Sequence, residues 1–469
     1  MERRLTPRHP VRLLLVALVV LVVVAGGYGV FRAISPPTPQ ASSAFQQIHC
    51  PFTLGLGLVE GKDVRCGFLV VPEDRSQPKG HTIRLAVAIF KTPNPNPAPD
   101  PLLVLGGGPG LPQLATTGPF INTGNLAFFA PPDRDYILLD QRGVGYSQPS
   151  LRCLDNETRR ACHDRLMKSG INLNAYTTLE NAADVHDLIR ALGYRQVNLD
   201  GISYGTRLAL TIMRLYPADL RSVVLDSVIP PQVNGFTSIP PSTLRAFDVL
   251  FQRCTTDSSC NATYPHLQAV FYQLVADLNT TPITFDTTLQ TGKTVTVKFT
   301  GNDLVLGLRQ ALYTTGLIPQ LPRVIFQIRQ HDYSLLSRNY GNSINDTMSW
   351  GLFYSVECGE DATFTTQQAL QTSVQALPPQ VQPALLDFVM RWFSICQFWG
   401  MKPVPAMQKE PVRSTIPTLI LQGEYDPVTP PANGMLAAQT LSKSYRTGAG
   451  KPPCFNRGMR APFLIWGLG

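Results

Sequence analysis

The chain has 469 residues, of which 44% are hydrophobic and 15% are charged, so it is a globular chain with enough apolar material for a large core. Its formal net charge of +8 does not predict nucleic-acid binding, because the basic residues are scattered once the N-terminus is passed. The length predicts two domains, or a catalytic core with a large insertion.

The first 31 residues have the pattern of an export signal. A basic segment with four arginines, residues 1–12, precedes an apolar run, residues 13–31, that is long enough to span a bilayer. Because basic residues stay on the cytoplasmic side, the rest of the chain is expected outside the cytoplasm. We expect residues 13–31 to be a transmembrane signal anchor or a cleaved signal peptide, and residues 32–44 to be a linker.

Strands and helices alternate in the first part of the predicted core, residues 45–230. The sequence predicts strands at residues 82–90, 101–105, 136–139, 196–199 and 222–228. It predicts helices at residues 178–192 and 206–216, the first of them with an apolar face. This alternation is typical of an α/β fold in which helices cover both faces of a mostly parallel sheet.

The pattern changes at residues 231–411, which are mainly helical apart from two β-like stretches near Ile283 and at residues 295–299. We interpret this region as a cap inserted over the carboxyl edge of the sheet. Some of its many aromatic residues are candidates to line an apolar substrate pocket. The core resumes at residues 412–445 with a strand at residues 417–422.

Nine cysteines suit an oxidising compartment. Their spacing suggests four disulfides: Cys50 with Cys66, Cys153 with Cys162, Cys254 with Cys260, and Cys358 with Cys396. Separate buried thiols remain the alternative, because sequence alone does not fix connectivity. Cys454 is left over. No Cys-x-x-Cys pair or histidine cluster indicates a metal site, and no cofactor is expected.

A Gly-x-Ser-x-Gly string, residues 201–205, lies between a predicted strand and a predicted helix. A serine at this place occupies a sharp turn, and the flanking glycines let its hydroxyl stand exposed above the sheet. The helix that follows offers the amide of Tyr204 to a developing oxyanion. The string alone is a weak signal, but its context predicts Ser203 as a nucleophile.

The other parts of such a site are predicted on two loops. A Gly-Gly-Gly-Pro-Gly turn after an early strand makes Gly107 and Gly108 candidate oxyanion donors, with a plain tight turn as the alternative. Asp426 follows the strand at residues 417–422 and is the candidate acid. We prefer it to the nearby Glu424 because it lies further into the loop, before the rigid Pro427.

Together these motifs resemble the α/β-hydrolase family of prolyl and tripeptidyl aminopeptidases, including secreted bacterial members with a characteristic C-terminal region. The similarity covers most of residues 45–445 and includes the Asp-Gln-Arg-Gly-x-Gly-x-Ser run at residues 140–147. It implies an α/β-hydrolase fold, with Ser203 as nucleophile and Asp426 as the acid that orients a histidine. It also implies a peptide substrate with a free N-terminus.

In related enzymes, acidic cap residues hold the amine of the substrate. Glu357 and Glu360 stand in a similar stretch, so the resemblance implies this role for them. The alternative is that both are solvated residues near a disulfide.

The resemblance breaks at the general base. Family members carry a Gly-His-Gly-like turn after the acid, but none of the seven histidines follows Asp426. The tail at residues 446–469 has four basic residues and no acid, which suggests a frameshift or a truncated gene model, with true divergence as the alternative.

Without this histidine we expect impaired catalysis in the chain as given. Three functions stay open: an aminopeptidase in an intact form, an esterase with the same machinery, and a non-catalytic, membrane-tethered binding protein.

Overall fold

A nine-stranded sheet organises the part of the chain that the computed structural model describes, which is residues 45–129, 131–289, 292–342 and 347–446. The strands of the structure are β1 (Phe45–Ile48), β2 (Val64–Pro72), β3 (Thr82–Phe90), β4 (Leu102–Leu105), β5 (Tyr136–Leu139), β6 (Val197–Ile202), β7 (Leu220–Asp226), β8 (Ile283–Thr288), β9 (Thr294–Phe299), β10 (Thr418–Leu421) and β11 (Ser444–Arg446).

The order of strands in the sheet is β1-β2-β3-β5-β4-β6-β7-β10-β11. β1, β2 and β3 pair antiparallel, and β3 pairs antiparallel with β5. From β5 to β11 every neighbouring pair is parallel. The carboxyl ends of β4, β6, β7, β10 and β11 therefore lie at one edge, which is where α/β sheets bind their ligands.

Helices flank the sheet and form the region between β7 and β10. The α-helices are α1 (Gln113–Thr116), α2 (Leu126–Phe129), α3 (Arg159–Lys168), α4 (Thr178–Ala191), α5 (Tyr204–Leu215), α6 (Gly235–Thr256), α7 (Ser258–Thr263), α8 (Leu267–Thr280), α9 (Gly301–Ala311), α10 (Leu321–Arg329), α11 (Ser334–Asn342), α12 (Trp350–Glu360), α13 (Gln367–Gln375), α14 (Gln382–Trp399) and α15 (Pro431–Ala438).

β5 shows why the centre of the sheet consists of short apolar strands. All four of its side chains are buried. Ile137 and Leu139 pack into the core on one face with residues of α4 and α5, whereas Tyr136 and Leu138 pack into the core on the other face. A strand covered on both faces needs a continuous apolar run, and β5 has one.

The predicted α/β class is confirmed. The strands expected at residues 82–90 and 136–139 have the same bounds in the structure, and the helix expected at residues 178–192 is α4. The side chain of Thr177 caps this helix by accepting a hydrogen bond from the amide of Glu180, and its apolar face is buried.

Several boundaries differ from the prediction, and two of them bear on the site. β7 ends at Asp226, because the next residue, Ser227, has a φ of 60° that a strand does not accommodate. α5 begins at Tyr204, two residues before the predicted start, directly after Ser203. β1 and β2 were not predicted at all.

The region predicted as a cap, residues 231–411, contains a separate hydrophobic cluster built from α6, α8, α9, α10, α13 and α14. β8 and β9 form an antiparallel hairpin at the two stretches that the sequence predicted as β-like. α6 begins directly after Asn234, which caps it: the side chain of Asn234 accepts a hydrogen bond from the amide of Phe236.

Among the described residues, no helix is long and apolar enough to cross a membrane. The predicted anchor at residues 13–31, the linker and Cys454 lie outside the described ranges.

The four predicted disulfides are all present. They join Cys50 to Cys66, Cys153 to Cys162, Cys254 to Cys260, and Cys358 to Cys396. In each pair the Cα atoms are 5.1 to 5.3 Å apart, which is within the usual range for a disulfide.

Thiol counting should therefore find about one reactive thiol per chain under denaturing, non-reducing conditions, because eight of the nine cysteines are paired. The same sample after reduction is the control and should show nine. Nine thiols before reduction would contradict an extracytoplasmic, oxidised protein.

Candidate active site

Ser203 lies on a tight turn between β6 and α5. Its backbone has φ 55° and ψ −118°, a conformation that residues with a side chain rarely adopt. The amide of Ser203 donates to the carbonyl oxygen of Asp226 at the end of β7, with an N···O distance of 2.9 Å. Such a strained turn is where α/β-hydrolases carry their nucleophile.

The two glycines of this turn are required by close packing. A Cβ atom at Gly205 would lie 2.0 Å from the carbonyl oxygen of Leu105, at the end of β4. A Cβ atom at Gly201 would lie 2.5 Å from the carbonyl oxygen of Gly205. Both neighbours are backbone atoms and neither can rotate away, so the Gly-x-Ser-x-Gly spacing is set by sterics.

Two groups of backbone amides are candidates for the oxyanion hole. α5 begins at Tyr204, so the first amides of this helix have no acceptor within the helix. On the glycine-rich loop, no described residue accepts a hydrogen bond from the amide of Gly107 or Gly108. These are the three residues predicted as oxyanion donors, and their assignment stays a prediction.

The carboxylate of Asp140 holds the glycine-rich loop in place. It accepts hydrogen bonds from the amides of Gln113, Leu114 and Tyr146 at 2.7, 3.0 and 2.9 Å. Burial raises the pKa of Asp140 to about 6, and these three amides oppose that shift. Next to it, the side-chain amide of Gln141 donates to the carbonyl oxygen of Gly106 at 3.0 Å.

The arginine of the same run anchors it to α4. The guanidinium of Arg142 is fully buried and donates two hydrogen bonds of 2.7 Å to the carboxylate of Asp184. It also donates to the carbonyl oxygens of Glu73 and Ala175 at 2.6 Å. The run at residues 140–147 is therefore a support for the glycine-rich loop. Sequence reasoning found the motif but not this role.

Asp426 follows β10 in a turn that its own carboxylate stabilises. One oxygen accepts from the amides of Val428 and Thr429 at 2.8 Å, and the other accepts from the hydroxyl of Thr429 at 2.6 Å. Burial raises the pKa of Asp426 above its usual value, and the hydrogen bonds from these donors oppose part of that rise. The competing Glu424 is held elsewhere, in an ion pair of 2.6 Å with Arg253 of the cap.

Asp226, at the end of β7, lies close to both the turn that holds Asp426 and the turn that holds Ser203. Burial raises its pKa to about 7, and the charges of Asp200 and Asp426 add to that rise, so Asp426 lies within electrostatic range. Its backbone carbonyl is the acceptor for Ser203. The turn that holds Asp426 and the turn that holds Ser203 thus both lie near the end of β7.

Helix α6 also contacts the turn that holds Asp426, and the sequence did not reveal this contact. The guanidinium of Arg245 on α6 donates to the carbonyl oxygen of Asp426 at 2.8 Å. The hydroxyl of Thr243 donates to the carbonyl oxygen of Pro427 at 3.2 Å. No sequence pattern marks these contacts, since they join residues about 180 positions apart.

No histidine completes a triad within the described part of the chain. None of the six histidines found there forms a hydrogen bond with Ser203 or Asp426. The cap histidines His266 and His331 are both exposed, and His331 pairs with the hydroxyl of Tyr333. β11, which lies beside β10, ends at Arg446, and no histidine occurs in the sequence beyond it.

The two predicted amine-binding acids have different surroundings. The carboxylate of Glu360 is buried and accepts hydrogen bonds from the amide and the hydroxyl of Thr178 at 2.7 and 2.8 Å. Glu357, one turn earlier on α12, accepts no hydrogen bond from any described residue. Burial, with the nearby charge of Asp361, raises its pKa to about 8, and Arg207 opposes that shift.

Residues 100–447 match the α/β-hydrolase fold family, so the chain belongs to this family. It is 24% identical to the putative hydrolase YuaR of Escherichia coli K12, over 81% of this chain and 80% of that protein. It is 30% identical to the tripeptidyl aminopeptidase of Streptomyces lividans over 36% of each chain. The predicted resemblance to tripeptidyl aminopeptidases is confirmed.

The chain is also similar to two further proteins. The chain is 22% identical to the serine protease Hip1 of Mycobacterium tuberculosis H37Rv, over 81% of this chain and 80% of that protein. Among solved structures, a proline iminopeptidase from Mycobacterium smegmatis covers 81% of this chain and 89% of its own, with 17% identity and a TM-score of 0.35.

Proposed function

We propose that the chain carries the machinery of a serine hydrolase of the aminopeptidase type. The observation that carries this proposal is the strained turn at Ser203, with the unused amides of Gly107 and Gly108 on the neighbouring loop. In the reaction, the hydroxyl oxygen of Ser203 attacks the scissile carbonyl and its proton passes to water, because no histidine of the described ranges is in place; the C–N bond then breaks, the amine leaves protonated, and water hydrolyses the acyl-enzyme. The amides of Tyr204 and the glycine-rich loop then stabilise the oxyanion. No cofactor takes part.

The catalytic base is the part that the chain as given does not supply. The position and hydrogen bonds of Asp426 support its role as an orienting acid, but no histidine in the described part of the chain forms a hydrogen bond with it. The oxyanion hole and substrate binding alone still give a modest acceleration over water. We therefore propose that this form binds substrate and turns it over slowly.

Glu357 supports the aminopeptidase assignment over a general hydrolase. A carboxylate without a hydrogen-bond donor is suited to receive the ammonium group of a peptide N-terminus. The relatives named tripeptidyl aminopeptidase support a peptide substrate with a free N-terminus. Glu360, whose two oxygens are used by Thr178, is better suited to fixing α12 on α4.

The proposed location is outside the cytoplasm. Four disulfides support an oxidising compartment. We propose that residues 13–31 tether the protein to the membrane, or direct secretion if they are cleaved.

Two observations favour alternative functions. The similarity to carboxylesterase B of Mycobacterium tuberculosis, 38% identity over 20% of this chain, favours an esterase with the same machinery. The lack of a histidine next to Ser203 among the described residues favours a non-catalytic binding protein.

Peptide binding tests the aminopeptidase proposal directly. We expect the chain as given to bind an alanine tetrapeptide with a free N-terminus about tenfold or more tightly than its N-acetylated form, measured by calorimetry. Glu357→Gln should abolish this preference. Binding should be strongest near pH 8, because Glu357, with a pKa of about 8, must be ionised while the peptide amine stays protonated.

Glu424→Gln is the matched control, since it removes an acid that is already paired with Arg253. It should leave the preference intact. Equal binding of free and acetylated peptides would contradict the aminopeptidase proposal and favour an esterase.

A further inference from the structure

Arg309 is a buried cation in the cap without an anionic partner. Its side chain belongs to α9, and only 6% of the residue is exposed. Within the described part of the chain it forms no ion pair; its guanidinium hydrogen-bonds to the hydroxyl of Tyr313, and its Nε atom is fully buried and has no partner. Every other arginine that is buried to this degree, Arg142 and Arg207, pairs with an aspartate.

Aromatic rings surround the guanidinium instead of acids. Its carbon atom Cζ lies 4.5 Å from the ring centre of Phe388 and 5.8 Å from that of Tyr313. These contacts stabilise a cation but do not replace its hydration or neutralise its charge. Phe388 is half-buried and Tyr313 is 40% exposed, so the guanidinium lies beneath rings that still meet solvent.

The surroundings of Arg309 connect it to the candidate active site. The hydroxyl of Tyr313 is within electrostatic range of both Arg309 and Asp426. Burial raises its pKa, Asp426 adds to the rise and Arg309 opposes it. Phe388 also packs in one cluster with Val428, whose amide donates to the carboxylate of Asp426 at 2.8 Å.

A row of rings leads from Arg309 towards Glu357. The ring centre of Phe388 lies 4.5 Å from that of Trp392, which lies 4.9 Å from that of Phe353. Phe353 precedes Glu357 by one turn of α12. Arg309, a cation without an ion pair, and Glu357, a carboxylate without a hydrogen-bond donor, thus lie at the two ends of one row of aromatic rings.

We propose that Arg309 forms a carboxylate-binding subsite in the cap, which receives an acidic side chain or the C-terminal carboxylate of a peptide substrate. A guanidinium with unused donors binds carboxylates through charge-assisted hydrogen bonds, and a buried one does so with little competition from water. The inference rests on the proposed peptidase function. It adds that peptides with a carboxylate close to their free N-terminus are preferred.

The test compares tetrapeptides that differ only in charge, with the full chain as given. The first pair is an alanine tetrapeptide with a free or an amidated C-terminus. The second pair carries glutamate or glutamine within the amidated peptide. We expect at least one carboxylate peptide to bind about tenfold or more tightly than its neutral partner in calorimetry, and the two pairs tell which carboxylate is used.

Arg309→Met removes the charge and keeps the volume, so it should abolish the preference while affinity for the neutral peptides remains. Arg323→Met, an exposed arginine on the neighbouring α10, is the matched control and should keep the preference. Because no acid relies on Arg309, the melting temperature of Arg309→Met should equal or exceed that of the parent. A preference that is absent, or that survives in Arg309→Met, would overturn the inference, as would a strong loss of stability.

A small dicarboxylate separates this inference from the proposed function. Glutarate, but not glutaramide, should raise the melting temperature of the parent chain and not that of Arg309→Met. If no peptide binds while glutarate still stabilises the parent alone, the peptidase proposal fails and the carboxylate subsite stands. If glutarate has no effect and no carboxylate peptide is preferred, the subsite is refuted.

Discussion

Replacing the residues after Tyr445 with an apolar strand that runs into a Gly-His-Gly turn should raise peptide hydrolysis by about a thousandfold or more. β11 is parallel to β10, so a turn grafted after it would lie at the same edge of the sheet as Asp426 and Ser203. A histidine there would meet Asp426, the proposed acid, and Ser203, the proposed nucleophile, and would supply the base that the proposed mechanism needs.

The measurement is steady-state hydrolysis of chromogenic peptidyl substrates by the parent and the grafted chain. The matched control is a graft with Gly-Gln-Gly, which has the same backbone and no base. Within the active graft, Ser203→Ala should abolish both turnover and labelling by a fluorophosphonate probe. Asp426→Asn should lower turnover strongly, whereas Glu424→Gln should not.

Ordinary aminopeptidase rates in the unaltered chain would contradict this prediction. If His266→Ala or His331→Ala then removed those rates, a cap histidine would be the base. The exposed positions of both histidines in the structure make the graft the expected route to activity.

The parts of the fold that the sequence predicted are those whose signal is local. β5 is a run of four apolar residues between polar ones, and every one of them is buried, so burial and pattern coincide. β1 carries two exposed glutamines in four residues and exists because β2 pairs with it at the sheet edge. An edge strand that is defined by its partner leaves no periodic signal in its own sequence.

The same distinction holds in the site. The tight turn at Ser203 could be predicted because strand, glycine, serine, glycine and helix are consecutive, and the steric requirement acts over a few residues. Arg309 could not, since its meaning depends on Phe388 from another helix and on the lack of an acid nearby. The hydrogen bond from Arg245 to the carbonyl oxygen of Asp426 likewise joins residues 181 positions apart, which no local pattern reveals.

Gly205→Ala should lower the free energy of unfolding by about 3 kcal/mol and also reduce the reactivity of Ser203, because the added methyl group overlaps backbone atoms. Its Cβ atom would lie 2.0 Å from the carbonyl oxygen of Leu105 and 3.1 Å from that of Gly106. To relieve this overlap, α5 must move away from β4 and displace the start of the glycine-rich loop. Stability and the oxyanion hole are therefore damaged together.

Gly307→Ala is the matched control for this substitution. Gly307 lies within α9, and a Cβ atom there has no neighbour within 4 Å. Alanine should stabilise that helix by about 0.5 to 1 kcal/mol, because it has the higher helix propensity. Urea denaturation of both variants measures the difference, and fluorophosphonate labelling of the histidine graft reports on the site. If the Gly205→Ala protein were as stable and as reactive as the Gly307→Ala protein, the turn at residues 201–205 would not require glycine. The steric basis for placing the nucleophile at Ser203 would then be lost.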